Sequence, residues 1–134
     1  ASKALIADLN ALRFSFNPYN LNRLSILLGK AAMEDKAYFD ECRKKVMDSR
    51  RYTIDALRSL GFTVPESKSN FIFAGANPVL NGKAYFDGLR RNNILVRYFG
   101  AARTKDYVRI TIGTQEQMET LVCVTETLLK EAAK

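Results

Sequence analysis

Two arginines stand in segments whose other residues predict β-strands. Arg97 lies within residues 94–99, ILVRYF, and Arg109 within residues 107–113, YVRITIG. An arginine side chain keeps its charge, so it needs an anion, hydrogen-bond acceptors or water wherever the fold places it. Two guanidinium groups on neighbouring strands therefore indicate a site for a phosphate or a carboxylate, which arginine binds through paired hydrogen bonds.

The alternation of side chains along a strand predicts where each arginine points. Arg109 shares its face with Tyr107, Thr111 and Gly113. The opposite face of that strand is apolar and predicted to face the core, with Val108, Ile110 and Ile112. Arg97 shares its face with Leu95 and Phe99. This more apolar company predicts that Arg97 is the more enclosed of the two arginines, and the one whose role is structural.

A simpler interpretation of both arginines stays open. Each side chain can extend to solvent along its aliphatic stem, or pair with a nearby carboxylate such as Asp106 or Asp87. Under that interpretation the chain is a structural or interaction domain without a ligand. An arginine that faces away from the helices without an acidic partner favours the anion site, whereas an internal ion pair favours the structural domain.

Composition excludes several kinds of chemistry. The 134 residues suffice for one hydrophobic core, and 47% hydrophobic with 26% charged residues is typical of a globular protein. The absence of histidine excludes Ser-His and Cys-His catalysis and the common zinc sites within this chain, so we expect no metal. Cys42 and Cys123 occupy apolar helical spacings far apart, which predicts reduced core thiols in a cytoplasmic protein.

The net charge and the first residues of the chain indicate whether nucleic acid is a partner and whether the chain carries a membrane or secretion signal. The net charge is +7, but acidic residues are interleaved with the basic ones, so a solvated surface explains the charge better than nucleic-acid binding. No apolar run approaches the roughly 20 residues of a membrane helix, and the first residues do not have the pattern of a signal peptide. Because the sequence begins with Ala1 rather than methionine, we expect an excised segment of a longer protein.

The N-terminal third predicts two helices and an irregular connector. Ser2 is a candidate cap for a helix that ends near Arg13. Residues 14–22, which include Pro18, then predict a connector between domains. Asn20 is the candidate cap of a second helix, whose leucines and alanines are apolar on almost every side, which predicts burial.

The rest of the chain predicts helix, strand, strand, helix, strand, strand, helix. A long helix begins at Asp35 and ends at Gly61, short strands follow at 62–64 and 69–73, and a helix covers 83–92. After the two arginine strands, Thr114 and Gln117 have the spacing of a capping box that begins the last helix. This order predicts an α+β fold, a small and mostly antiparallel sheet of three to four strands with helices packed on one face.

A β-α-β tail with strand aromatics also fits an RNA-binding module, the non-enzyme alternative. Its stacking residues would come from a set of four aromatics, Phe71, Phe73, Tyr98 and Phe99. The glycine-aromatic run of RNA-recognition motifs is absent, however, and aromatics in short strands are more often core residues. We keep this basic RNA-binding or protein-interaction module as the alternative function.

Several stretches resemble the C-terminal segment of histidinol-phosphate aminotransferases, a subgroup of the fold type I pyridoxal-phosphate enzymes. They are residues 93–99, NILVRYF, and 108–118, VRITIGTQEQM, together with 15–22, SFNPYNLN, and 69–72, SNFI. The resemblance spans nearly the whole chain, and the two arginine strands are its most specific part.

The resemblance implies a role for the chain and for its site residues. The chain would be one small domain that closes over a cofactor held by a large domain, in an enzyme that transfers an amino group between histidinol phosphate and 2-oxoglutarate. Arg109 would bind the phosphate of histidinol phosphate or the carboxylate of glutamate, and Arg97 would assist. Asn70, Tyr19 and Asn20 are secondary candidates for substrate binding. The parent enzyme would be a cytoplasmic homodimer that uses pyridoxal phosphate.

The departures from the family pattern limit what this chain can do alone. The family's Schiff-base lysine lies in a Ser-x-Ser-Lys stretch, with an aspartate for the pyridine nitrogen further upstream, and neither is present; Ser2-Lys3 does not match it. We therefore expect residues 1–34 to be N-terminal helices and connector, 35–134 to be the domain's core, and the large cofactor domain to be absent. The chain alone is expected to bind no cofactor and to be inactive.

Overall fold

The structure is a computed structural model that describes residues 1–16, 18–75 and 77–133. The chain divides into two compact units, Ala1–Phe39 and Asp40–Lys134. No helix within the described residues is long and apolar enough to cross a membrane.

The first unit contains helices α1 (Lys3–Phe16) and α2 (Arg23–Glu34). The Ser2 hydroxyl accepts a hydrogen bond from the Leu5 amide, which confirms the predicted cap. The predicted end of this helix at Arg13 is wrong, because α1 continues for three more residues. Asn20 is not the cap of α2 either: Asn22 is, and its side chain accepts from the Ser25 amide. Of the predicted connector, Asn17 lies outside the described residues.

The predicted burial of α2 is wrong. Neither α1 nor α2 has a buried residue, and the large apolar side chains along both are 47% exposed or more. The exposed large side chains of these two helices are Leu5, Ile6, Leu9, Leu12, Phe14, Phe16, Leu24, Ile26, Leu27, Leu28 and Met33. An apolar helix buries its side chains only where another element covers them, and its own sequence does not supply that cover.

The second unit confirms the predicted α+β class. Its helices are α3 (Lys36–Ser59, which begins in the first unit), α4 (Gly82–Arg91) and α5 (Gln115–Ala132). Its strands β1 (Phe71–Gly75), β2 (Arg97–Tyr98) and β3 (Tyr107–Thr111) form an antiparallel sheet in the order β1-β3-β2. The strand that carries Arg109 is therefore the central one.

One face of this sheet and the helices form the hydrophobic core. The sheet contributes Ile72, Ala74, Val108 and Ile110, which alternate along β1 and β3 and are almost completely buried. The helices contribute the large buried side chains Ile54, Leu57, Tyr85, Leu89, Met118, Leu121 and Leu128. Because β-strand side chains alternate, every residue between the buried positions of β3 lies on the other face, away from this core.

Helix boundaries in the second unit follow the sequence signals closely. Asp35 caps α3 through the Tyr38 amide, and Gly61 ends that helix region with a positive φ of 84°. Asn81 caps α4 through the Ala84 amide. Thr114 and Gln117 form the predicted capping box at the start of α5.

Two predicted strands, and the predicted burial of the two cysteines, differ from the structure. Residues 62–64 form only a single bridge, Thr63 with Gly75, because the Phe62 amide bonds to the helix carbonyl of Leu57. Residues 94–96 do not extend β2, because the Ile94 amide bonds to the Leu89 carbonyl at the end of α4. The two cysteines are not core residues: Cys42 is half-buried and Cys123 is exposed.

Candidate anion-binding site

Arg109 is fixed in the middle of the sheet. Its Cα partner on one side is Phe73 of β1, and its partner on the other side is Arg97 of β2. Residues that face each other across an antiparallel pair lie on the same face of the sheet, so both guanidinium groups lie on the face away from the core. We call this the arginine face; it comprises Phe71, Phe73, Arg97, Phe99, Tyr107 and Arg109.

The prediction that Arg97 is the more enclosed arginine is wrong. Arg97 is exposed and Arg109 is half-buried. The two apolar neighbours that motivated the prediction behave differently, since Leu95 is 84% exposed whereas Phe99 is half-buried. Arg97 lies on an edge strand with β3 on one side only, whereas Arg109 has a strand on each side, and this explains the difference in burial.

Aromatic rings hold the guanidinium groups. The Cζ atom of Arg109 lies 5.2 Å from the ring centre of Phe71 and 5.8 Å from that of Phe99. The Cζ atom of Arg97 lies 5.5 Å from the same Phe99 ring. All three distances fall within the roughly 6 Å range of a cation–π interaction.

No carboxylate neutralises these arginines within the described residues. The ion pairs of the described chain involve other cations, and Asp87 pairs with Lys83. The Nε atom of Arg109 is buried without a hydrogen-bond partner among the described residues. A buried donor without an acceptor costs about 1–3 kcal/mol and is rare in folded proteins. The alternative, local pairing with Asp106 or Asp87, is therefore not found among the described residues, and the Nε atom of Arg109 lacks an acceptor there.

A cavity lies beside the arginine face. Its volume is about 350 Å³, and three of its lining residues, Phe71, Phe73 and Tyr107, belong to that face. Arg103 and Thr104 also line it, from the loop that precedes β3. Glu66 contributes the one carboxylate among the lining residues, and that carboxylate is 2.9 Å from Arg58. The cavity therefore offers aromatic surface and one cation, Arg103, to a ligand, whereas Arg97 and Arg109 lie on the neighbouring arginine face and are not among its lining residues.

The secondary candidates are distributed over both units. Asn70 is exposed directly before β1, where its carbonyl oxygen accepts from the Ile112 amide. Tyr19 and Asn20 belong to the Ala1–Phe39 unit, and both are exposed, Tyr19 by 87%. Only Arg97 and Arg109 are brought together within the Asp40–Lys134 unit.

The strand aromatics have a role that the sequence did not indicate. Phe71 and Phe99 contact arginine, and Phe73 stacks on Phe99, whereas Tyr98 lies on the core side with its ring centre 5.7 Å from that of Phe86. The four aromatics of the RNA-binding alternative thus do not form one exposed stacking surface. Their spacing could not predict the arginine contacts, because these contacts depend on the cross-strand register.

Comparison with known proteins places the chain in a family. The sequence profile of the aminotransferase class I and II family matches residues 5–124, and the chain belongs to that family. Histidinol-phosphate aminotransferases are among its relatives. The one from Chromohalobacter salexigens is 41% identical over 121 residues, which cover 90% of this chain and 34% of that protein. The one from Clostridium botulinum strain Okra is 41% identical over 117 residues, which cover 87% and 33%.

A solved structure has the same fold. The histidinol-phosphate aminotransferase from Clostridium acetobutylicum superposes with a TM-score of 0.74 and 18% identity, over 90% of this chain and 37% of that one. The chain spans about a third of the length of the curated relatives that it matches.

Proposed function

We propose that the chain is the substrate-clamping C-terminal domain of a pyridoxal-phosphate-dependent aminotransferase that transfers an amino group between histidinol phosphate and 2-oxoglutarate. The observation that carries this proposal is Arg109: a buried donor atom without an acceptor, on a cation with no acidic partner among the described residues. A phosphate or carboxylate of the substrate would supply the missing acceptor through paired hydrogen bonds.

Each arginine has a separate part in this proposal. Arg109, half-buried on the central strand, fixes the position of the anion. Arg97, exposed on the edge strand directly opposite, adds a second positive charge and further donors. By holding the anionic end, the pair orients the rest of the substrate and lowers the entropic cost of reaching the reactive geometry.

The residues of this face do not form a cofactor site on their own. Pyridoxal phosphate, when bound, supplies the electron sink for amino-group transfer, and it requires a lysine and a partner for the pyridine nitrogen. Among the described residues that line the cavity beside the arginine face there is no lysine, and the one carboxylate, that of Glu66, pairs with Arg58. We therefore propose that a large domain of the same protein holds the cofactor and that the present chain contributes substrate binding.

The exposed apolar side chains of the first unit support the proposal of a large domain. The two helices of this unit expose apolar side chains over most of their surface, which a protein in water rarely leaves uncovered. We propose that the large domain, and a second subunit of a homodimer, cover them in the complete enzyme. A cytoplasmic location suits the two cysteines, which are both free thiols.

The proposal is tested with Arg109→Ala in the full-length enzyme. Loss of a hydrogen-bonded charge partner costs about 2–5 kcal/mol, so kcat/KM for both substrates should fall by about thirtyfold or more. Arg109→Lys should recover little of the lost kcat/KM, because an ammonium group cannot form the paired hydrogen bonds of a guanidinium group. Arg91→Ala, an exposed arginine at the end of α4, is the matched control. Unchanged constants in Arg109→Ala would refute the proposal.

A second test uses the 134-residue chain itself. Inorganic phosphate is titrated while the Arg109 Nε–H signal is followed by NMR. The Arg97 Nε–H signal is followed in parallel, because Arg109→Ala has no Arg109 signal. Saturable movement of the Arg97 signal, lost in Arg109→Ala and retained in Arg91→Ala, is the expected result. A signal that does not respond to phosphate at low salt would count against an anion site on this face.

A further inference from the structure

The aromatic ring of Phe99 contacts both Arg97 and Arg109. The ring centre of Phe99 lies 5.5 Å from the Cζ atom of Arg97 and 5.8 Å from that of Arg109. The two cations belong to different strands and are directly opposite each other, so their charges repel. Phe99 is the contact that they share, and its negative ring face attracts each of them.

The position of Phe99 is itself fixed. Its ring stacks on Phe73, with ring centres 6.2 Å apart and planes 7° apart, and Phe73 is the cross-strand partner of Arg109. Its carbonyl oxygen accepts a hydrogen bond of 3.1 Å from the Thr104 hydroxyl. Backbone and ring are therefore both held, although Phe99 lies just beyond the end of β2.

Aromatic contacts suit a cation that must bind a ligand. A carboxylate partner would also hold a guanidinium in place, but it would occupy the N–H donors and cancel the charge. A ring interacts with the cation through its π-electrons, accepts none of the in-plane hydrogen bonds and leaves the positive charge available. On the arginine face, aromatic rings contact both cations, and among the described residues no acid pairs with either of them.

We propose that Phe99 is a positioning residue of the anion site: it holds the guanidinium groups of Arg97 and Arg109 in a binding arrangement before the anion arrives. This inference rests on the proposed function of the arginine pair. Without the ring, both long side chains sample more rotamers, and an anion must order them on binding. Preorganisation of this kind acts on affinity without any contact between Phe99 and the anion.

The test compares Phe99→Leu, Phe99→Tyr and wild type in the 134-residue chain, with inorganic phosphate as the probe and NMR of the arginine Nε–H groups as the readout. Ordering each of the two arginine side chains costs about 0.5–1.5 kcal/mol, which is about 1 kcal/mol or more for the pair, so Phe99→Leu should weaken phosphate binding about fivefold or more. Phe99→Tyr keeps the ring and should restore binding to within about twofold of wild type. If Phe99 only filled apolar space, leucine would fill that space as well, and Phe99→Leu would bind phosphate like wild type.

The matched control is Phe86→Leu. Phe86 is also half-buried and also lies near a cation, with Lys83 Nζ 5.7 Å from its ring centre, but it packs against Tyr98 away from the arginine face. Phosphate affinity should not change in this variant. Equal losses in Phe99→Leu and Phe86→Leu would mean a general effect of destabilisation and would overturn the inference.

A measurement on wild type covers the case in which Phe99→Leu does not fold. A ring within 6 Å of both guanidinium groups should shift the Hδ resonances of Arg97 and Arg109 upfield, each with a cross-peak to the Phe99 ring. Absence of both shifts overturns the inference. Failure of Arg109→Ala to reduce phosphate binding would instead reject the anion site itself, whereas normal phosphate binding by a folded Phe99→Leu rejects only the role of Phe99.

Discussion

Arg97 and Arg109 face each other across β2 and β3 as a directly opposed pair of like charges. Such a pair destabilises a sheet, and the described residues provide no acid to compensate it. The arrangement therefore lowers stability in the free protein and favours any anion that binds between or beside the two cations. Stability and anion affinity are coupled at this pair, which leads to the first prediction.

Replacing Arg97 should stabilise the free domain at low salt. Arg97→Thr loses the exposed contact with the Phe99 ring, but it removes the repulsion and places a residue with high strand propensity on β2. Because these two gains together exceed that loss, the free energy of unfolding should rise by about 0.5 kcal/mol. The electrostatic part of this gain should disappear near about 1 M salt, where screening shortens the Debye length to about 3 Å. Urea unfolding at several salt concentrations measures both effects.

Arg103→Thr is the control for this experiment. Arg103 is also exposed, and its replacement lowers the net charge of +7 by the same amount, but it lies in the loop before β3 without an opposing strand. A salt-dependent gain of equal size in both variants would assign the effect to net charge and not to the opposed pair.

Much of this fold follows from local sequence patterns. The caps at Ser2, Asn81 and Thr114 satisfy free amides through side chains within the same four residues, so a short stretch contains the whole interaction. The alternation around Arg109 likewise depends only on its own strand, and it correctly placed this arginine on the face away from the core. The α+β class followed from the order of these elements.

Other features depend on residues far away in sequence. The opposition of Arg97 and Arg109 is set by the register of two strands joined by an irregular loop, and spacing alone does not determine that register. The burial of α2 depends on what covers it, and the predicted enclosure of Arg97 failed because an edge strand has a neighbour on one side only. The ring of Phe99 becomes an arginine contact only once this register exists.

Gly75 should be intolerant of a side chain. A Cβ atom there would overlap the carbonyl oxygen of Asp106 and lie 2.7 Å from the Cα atom of Tyr107, and both are backbone atoms that cannot turn aside. Gly75→Ala must therefore separate β1 from the start of β3 and should cost about 2 kcal/mol or more. Chemical denaturation measures the loss.

Gly100→Ala provides the comparison for Gly75→Ala. The nearest atom to a Cβ at Gly100 is Cε1 of Tyr98 at 3.9 Å, an ordinary contact, and the change should stay within about 0.5 kcal/mol of wild type. The close approach at Gly75 also fixes where the strand of Arg109 begins. Indistinguishable stabilities for the two variants would show that the loop moves freely and that this contact does not position β3.

Tyr85 should make the domain sensitive to alkaline pH. Its side chain is fully buried, and its hydroxyl lies 2.8 Å from that of Thr125. The Thr125 proton is donated to the Leu121 carbonyl, so Tyr85 is the donor in the pair. Burial is the main cause that raises the pKa of the Tyr85 phenol well above its ordinary value.

The sign of the pH dependence follows from this pKa. Above about pH 10 the unfolded chain loses the Tyr85 proton while the folded chain keeps it, so the unfolded state binds fewer protons and stability falls as pH rises. The contribution is complete below the unfolded pKa, and the slope from this one group approaches about 1.4 kcal/mol per pH unit above it. Tyr85→Phe should be about 1 kcal/mol less stable at pH 7 and should decline less steeply above pH 10.

Thr125→Val separates the hydrogen bond from the ionisation. This variant keeps the buried phenol but removes its acceptor, and an unpaired buried hydroxyl costs about 1–3 kcal/mol, which is at least as much as Tyr85→Phe. Its alkaline slope should nevertheless remain as steep as that of wild type, because the phenol is still buried. Unfolding curves between pH 7 and about pH 11 distinguish the variants. Parallel curves for wild type and Tyr85→Phe across that range would mean that Tyr85 loses its proton in the folded protein as easily as in the unfolded one, contrary to its burial.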